Sequence, residues 1–230
     1  MRGGGLGALS LLAPLGCQRG AQSLSGIALV RAELATLLDS QRTSFEAGYR
    51  TLDDGMKLVA SIHHLSNVSG AMVEWWHRRR KSDEEFRQWH PTAHLHWEWN
   101  EQLNAGVSHH LIDGEVEKTK GQAREPREYF DVSRFPDAEI SAAICSRGGP
   151  LDTDGWSGHI IHLCRDTDYG CEVRTRVFLG DFDPPSALES AALSRFVTDE
   201  RLAWLLRHQS EEHVYLARFL PDLYARETGA

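Results

Sequence analysis

Two stretches decide the fold: CEVRTRVFL, residues 171–179, and DERLAWLLRHQSEEHVYLARFL, residues 199–220. In the first, Cys171, Val173, Thr175, Val177 and Leu179 share one face of an extended chain, and Glu172, Arg174, Arg176 and Phe178 share the other. The period of two makes it a strand. In the second, Leu205, His208, Glu212, Tyr215 and Phe219 recur at alternating steps of three and four residues, beside Leu202, Leu216 and Leu220. At 3.6 residues per turn these side chains form one stripe of a long helix. Thr198 is the expected N-cap, Asp199 and Glu200 suit the helix dipole, and Pro221 is the expected stop.

Working outward from that pair, His94 to Trp99, Val107 to Ile112, Glu139 to Cys145 and Gly158 to Cys164 also read as strands. Before them, Met72, Val73, Trp75 and Trp76 give helical spacing over residues 70–80. Ser82 with Glu85 three residues on is a capping box that opens a second short helix ending before Pro91. A further helix is expected from Ala187 to Phe196, after Pro184-Pro185. Helices, then antiparallel-style strands, then one long helix imply an α+β fold, most simply a curved sheet wrapped around the C-terminal helix. Residues 1–35, rich in Gly, Ala, Leu and Ser, are expected to be a poorly ordered leader with a short helix near Ala32 to Leu38, and residues 36–230 a single domain.

The 230-residue chain carries a formal charge of −8, which argues against a nucleic-acid groove. The basic run Arg78-Arg79-Arg80-Lys81 precedes the acidic Asp83-Glu84-Glu85 and reads as a solvated helix end. Cys17, Cys145, Cys164 and Cys171 have neither CxxC spacing nor the density of a disulfide scaffold. Leu6 to Leu15 is short and weakly charged for a signal peptide, and no run approaches the ~20 apolar residues of a membrane span. Asn67-Val68-Ser69 would accept a glycan only in a secreted chain. The expectation is a cytoplasmic protein, as a monomer or a homodimer, with no membrane or nucleic-acid partner.

His208 and Glu212 stand one helical turn apart on the apolar stripe, where two ligands can chelate one ion. Without an ion they would bond to each other near water. Pro91 breaks the helix that precedes His94, so that His94 opens a strand from a rigid turn and supplies a third donor. A further ligand is sought among Asp113, Glu115 and Glu117, which alternate onto one face. Histidine and carboxylate donors with an open position suit a catalytic zinc.

The segments EFRQWHPTAH (85–94), RDTDYGCEVRTR (165–176) and the end of the long helix from His208 to Tyr224, with its FLPDLY, resemble the 2,4-diacetylphloroglucinol hydrolase family, which includes phloretin hydrolase. The likeness extends over roughly residues 45–225. It implies a helix-grip domain of the Bet v 1/START-like kind and one Zn2+ per chain held by two His and two Glu. The implied reaction is hydrolysis of the C–C bond between an acyl group and a phenolic or β-diketone-like carbon. His94, His208 and Glu212 match three ligands. The fourth falls where no gapless match exists, and Glu115 is chosen over Asp113 and Glu117. Where the founding enzyme of that family holds phenol oxygens with a Tyr and an Asn, this chain has Phe86 and Trp97, so a different ring is expected as substrate.

His162 is the candidate proton donor, Arg174 and Arg176 could hold an anionic substrate or brace Glu172, and His90 could orient His94. The implied substrate is a small aromatic or polyketide molecule. The alternatives are a helix-grip ligand-binding protein without chemistry, and a polyketide-tailoring cyclase or dehydratase using the same metal cavity.

Overall fold

A computed structural model of the protein describes residues 26–39, 41, 43–53, 55–180 and 197–230. The expected helix from Ala187 to Phe196, Cys17 and the first 25 residues lie outside the described residues.

Eight strands form one antiparallel sheet: β1 Gly48–Thr51, β2 Lys57–Ser66, β3 His94–Asn100, β4 Ala105–Ile112, β5 Glu115–Arg124, β6 Ala142–Pro150, β7 Gly158–Thr167 and β8 Gly170–Leu179. Their spatial order is β1-β2-β8-β7-β6-β5-β4-β3. Four helices accompany them: α1 Gly26–Ala35, α2 Gly70–Arg78, α3 Asp83–Trp89 and the 30-residue α4 Asp199–Thr228. The curved sheet holds α4 against one face, which is the helix-grip arrangement that the two opening stretches imply.

The faces of β8 divide as its sequence requires. Cys171 and Val173 pack with Leu216, Phe219 and Leu220 of α4, and Val177 packs with Leu202. On the opposite face Phe178 joins Leu58, Ile161 and Leu163 beneath Val30 and Leu34 of α1. Residues 26–35, expected as part of an unpatterned leader, are therefore a helix whose Val30 and Leu34 are fully buried. The following turn adds buried Leu37 and Leu38.

The short helices are capped as the sequence requires. Ser82 Oγ accepts from Glu85 N while the Glu85 carboxylate accepts from Ser82 N. Pro221, the expected stop, lies inside α4, which continues for two more turns to Thr228 and ends at Gly229 with φ of 73°. Proline removes one backbone donor, but Phe219, Leu220 and Leu223 on either side are buried, and their burial outweighs the lost bond. The buried stripe of α4 also includes Gln209 and His213, so it is rotated from the expected one, and Tyr215 is only half buried.

Between β4 and β5 the two-residue turn Asp113-Gly114 has φ of 51° and 86°, the positive values that a tight hairpin needs. This turn sets the register His110↔Glu117 and Ile112↔Glu115. Cys145, Cys164 and Cys171 are free and buried. No described helix is long and apolar enough to cross a membrane.

Candidate metal centre

His94 opens β3 at zero exposure, and His208 and Glu212 face it from α4. Glu212 Oε1 lies 3.0 Å from His94 Nε2 and 3.3 Å from His208 Nε2, and the two ring nitrogens are 3.4 Å apart. The donors that the sequence singled out thus converge on one point. A third histidine joins them: the ligand atoms of His94, His110 and His208 all lie within 4.8 Å of one another.

Hydrogen bonding leaves a free lone pair on the His94 and His110 rings, and His208 Nδ1 is buried with no hydrogen-bond partner. His94 Nδ1 must donate to the Phe86 carbonyl at 2.9 Å, so Nε2 is the bare nitrogen. With His110 Nε2–H given to Ser108 Oγ at 2.9 Å, Nδ1 is left buried with no hydrogen-bond partner. Ser108 Oγ is held in turn by Thr119 Oγ1 at 2.9 Å. A buried acceptor without a donor is costly, and a cation satisfies it. Three imidazoles and one carboxylate fit a divalent transition-metal ion such as zinc.

Packing fixes the rings as well. Phe86 stacks on His94 with centroids 3.9 Å apart and planes within 5°. His208 is sandwiched between Trp204 at 4.5 Å and His90 at 4.5 Å. His90 itself bonds Glu211 Oε2 at 3.0 Å, so it steadies His208 by stacking and leaves His94 to the Phe86 carbonyl. Burial pushes the Glu212 carboxyl up, but His208 and His94 outweigh it and hold the group well below the ordinary carboxylate range. Burial, reinforced by the neighbouring His94 and His208, lowers His110 to about 3. A cleft of about 230 Å³ lined by His90, Thr92, Trp204, Arg207, His208 and Glu211 reaches the cluster from outside.

A family model described as the DAPG hydrolase PhiG domain matches residues 29–225. The chain belongs to the DAPG hydrolase family. None of the curated proteins matches it in sequence. Among solved structures it is similar to Ara h 8.0201, with TM-score 0.46 and 11% identity over 72% of this chain and 98% of that one. It is also similar to protein Ms6760 from Mycobacterium smegmatis, with TM-score 0.46 and 11% identity over 77% of this chain and 98% of that one.

The remaining candidates of this DAPG hydrolase family chain fall in different places. Glu115 stands exposed at the tip of the β4–β5 hairpin, opposite Ile112 and outside the histidine cluster. Asp113 is exposed in the turn, and Glu117, directly opposite His110, is ion-paired with Arg201 of α4. His110 stands outside the ligand set read from the sequence, which draws its fourth donor from carboxylates. Its signal was alternation with Ser108 on a strand that the sequence does show. Arg174 and Arg176 lie on the sheet face away from α4. There Arg174 bonds Glu172 at 2.9 Å and both arginines bond backbone carbonyls between Asp39 and Phe45. Arg174 braces Glu172, Arg176 reaches Glu46 and the Phe45 carbonyl instead, and the sheet separates both from the histidine cluster.

His162 is buried on the α4 face with Nδ1 2.8 Å from Thr175 Oγ1. It belongs to a second group of histidines: His77 lies 4.8 Å and His213 5.7 Å from it, and His63 stacks on His213 at 4.3 Å. Burial first, then the neighbouring imidazoles, hold His162 well below its ordinary value. The basic run divides: Arg78 and Arg80 are exposed, whereas Arg79 pairs with Glu85 at 2.7 Å and Lys81 turns inward.

Proposed function

We propose that the chain is a zinc-dependent hydrolase that cleaves the C–C bond between an acyl group and a phenolic ring. The observation that supports this reading most is the convergence of His94, His208 and Glu212 within 3.4 Å, with the bare Nδ1 of His110 beside them. Membership of the DAPG hydrolase family supplies the substrate class. His94, His110, His208 and Glu212 are the proposed ligands, with His110 in the place first given to Glu115. The ion supplies a Lewis acid for the acyl carbonyl and lowers the pKa of water toward ~7, so that hydroxide is at hand near neutrality.

The chain's own residues do the rest. Phe86 and Trp97 are the proposed walls for the ring; Phe86 offers a phloroglucinol hydroxyl no hydrogen bond, and Trp97 offers an indole N–H but no acceptor. Losing such a bond costs ~10²-fold or more in discrimination, so a less hydroxylated or bulkier aryl ketone is the proposed substrate. His162, held neutral at rest by its burial, is the proposed proton relay: negative charge developing on the substrate would favour its protonated form, so that it takes the proton released by the attacking water and returns it to the ring carbon as the C–C bond breaks. Hydroxyl ends on the acyl carbon and hydrogen on the ring.

The test is metal analysis of the purified chain with and without a chelator, followed by a panel of acyl-phenols and 1,3-diketones read by mass spectrometry. About one zinc per chain and metal-dependent release of a carboxylic acid with the deacylated ring are expected. A metal-free protein, or a zinc-loaded one that dehydrates or cyclises a polyketide and cleaves nothing, would overturn the reading.

A further inference from the structure

Arg79 and Arg80 each lie over tryptophan rings and also pair with a carboxylate, whereas Lys81 lies among three indoles with no ion pair among the described residues. Its Nζ lies 4.9 Å from the Trp76 ring centroid, 5.4 Å from Trp97 and 5.9 Å from Trp89. These rings also wall the metal centre. Trp89 packs edge-on against His94 at 5.1 Å and against His77 at 5.5 Å. Trp97 stands opposite Ser108 in the β3–β4 ladder, on the face that carries His110. The Trp89 ring therefore bridges the metal cluster and the second histidine group, and the ammonium lies against it.

The hydrogen bond described for Nζ runs to the Arg79 carbonyl at 3.2 Å. Among the described residues no carboxylate lies within ion-pair distance of Nζ. Glu85 pairs with Arg79, and Glu212 is turned toward His94 and His208. An ammonium in such a place keeps two N–H donors without a carboxylate in direct contact, and indole faces with the more distant Glu85 and Glu212 meet only part of that need. Burial, with Arg79 adding to it, brings the group down to about 7. Such a lysine gains most from an arriving anion.

We propose that Lys81 is a substrate-binding residue, which holds the oxygen of a phenol as a phenolate in the Trp76–Trp89–Trp97 cage. Resting on the hydrolase reading above, this names the group that answers the ring's charge. When the C–C bond breaks, its electron pair moves into the ring and onto that oxygen, which stays paired with the ammonium until the ring carbon takes up its proton. If nitrogen begins as the free amine, the phenolic proton moves to it, and the same ion pair results.

The test uses 4-nitrophenol, whose phenolate absorbs visibly and whose neutral form does not, with the metal-loaded full chain and the variants Lys81→Met and Lys81→Arg. Wild type is expected to bind the probe as phenolate and to lower its apparent pKa. Lys81→Met should weaken binding by about tenfold to a hundredfold, as for a hydrogen bond to a charged group, while zinc content stays unchanged. Lys81→Arg should keep most of the phenolate signal. Equal affinity and spectrum in Lys81→Met and wild type would overturn the proposal. So would probe bound by wild type only as neutral phenol, which is decisive even if Lys81→Met fails to fold. Because binding is read without turnover, a chain that cleaves no acyl-phenol can still show the lysine–phenolate pair, and failure of the hydrolase reading is seen separately.

Discussion

Replacing His110 with Phe keeps the ring and removes both nitrogens, which makes it the sharpest probe of the metal centre. In the metal-free chain the His110 Nδ1 is buried without a partner, and an unsatisfied buried polar atom costs about 1–3 kcal/mol. The Ser108 hydroxyl loses a donor but keeps Thr119 at 2.9 Å. The apo variant should therefore be as stable as wild type or more so. With zinc the order reverses. Losing only an outer partner of a ligand costs ~10–100-fold in affinity, so losing a ligand costs at least that, or about 1.4–2.7 kcal/mol. Zinc stabilises by mass action, so its thermal shift in the variant should be smaller by roughly 3 to 10 °C for a chain of this size. Competition with a chromophoric chelator measures the affinity and thermal melts measure both arms, with Glu115→Gln as the control that should change neither. If His110→Phe binds zinc as wild type does while Glu115→Gln does not, the hairpin-tip carboxylate is the ligand and the geometric argument fails.

Gly114→Val should lower zinc affinity although the ligands are untouched, since φ of 86° excludes a β-branched residue and the turn sets the register of His110; Gly114→Asn, which tolerates that conformation, should retain it in the same titration. Phe86→Ala removes a ring that is 2% exposed and stacked on His94, and should cost about 3–5 kcal/mol in urea unfolding and weaken zinc binding as well. A chain beginning at residue 39 loses Val30, Leu34, Leu37 and Leu38, on the order of 6–12 kcal/mol of burial, and should be insoluble, whereas one beginning at residue 26 should fold and bind zinc. His159, lowered to about 4 mainly by burial, stays neutral in the fold while the unfolded chain protonates near 6.5. Because the unfolded state then binds more protons, stability falls as pH drops from 6.5 toward 4, and His159→Phe should flatten that part of the pH–stability curve measured by denaturant titration.

The parts of the fold legible in the sequence are those with a period or a cap of their own, even where, as in β8, both faces are buried. β8 alternates because its two faces meet different cores, and α3 announces itself by a capping box that forms in full. β2 left no such trace: Leu58, Val59 and Ala60 are all fully buried, so the strand has no polar phase to alternate with. β5 failed for the opposite reason, being mostly exposed and polar except for Lys120. In α1 the residues Gly26 to Ala35 contain two charged side chains, too few to mark a wet face, and only the packed sheet shows which side is buried.

The metal ligands divide along the same physical line. His208 and Glu212 are four residues apart on one helix, so covalent geometry alone makes them neighbours, and Pro91 fixes where His94 enters its strand. His110 reaches the cluster through non-local geometry. Its place depends on the β3–β4 ladder, where the register shifts between His94 and His96, and on a β4–β5 turn that puts His110 rather than His109 on the α4 face. A slip of one residue would exchange those two histidines. His109 pairs with His96 on the opposite face, and Asp83 bonds His96 at 2.9 Å and the Trp97 backbone at 2.9 Å. The capped start of α3 therefore pins the strand whose register decides which histidine faces the proposed metal site. The same helix carries Phe86, whose backbone carbonyl accepts a hydrogen bond from His94 Nδ1. One seven-residue helix thus sets both the tautomer of the first ligand and the face on which the other strand ligand appears.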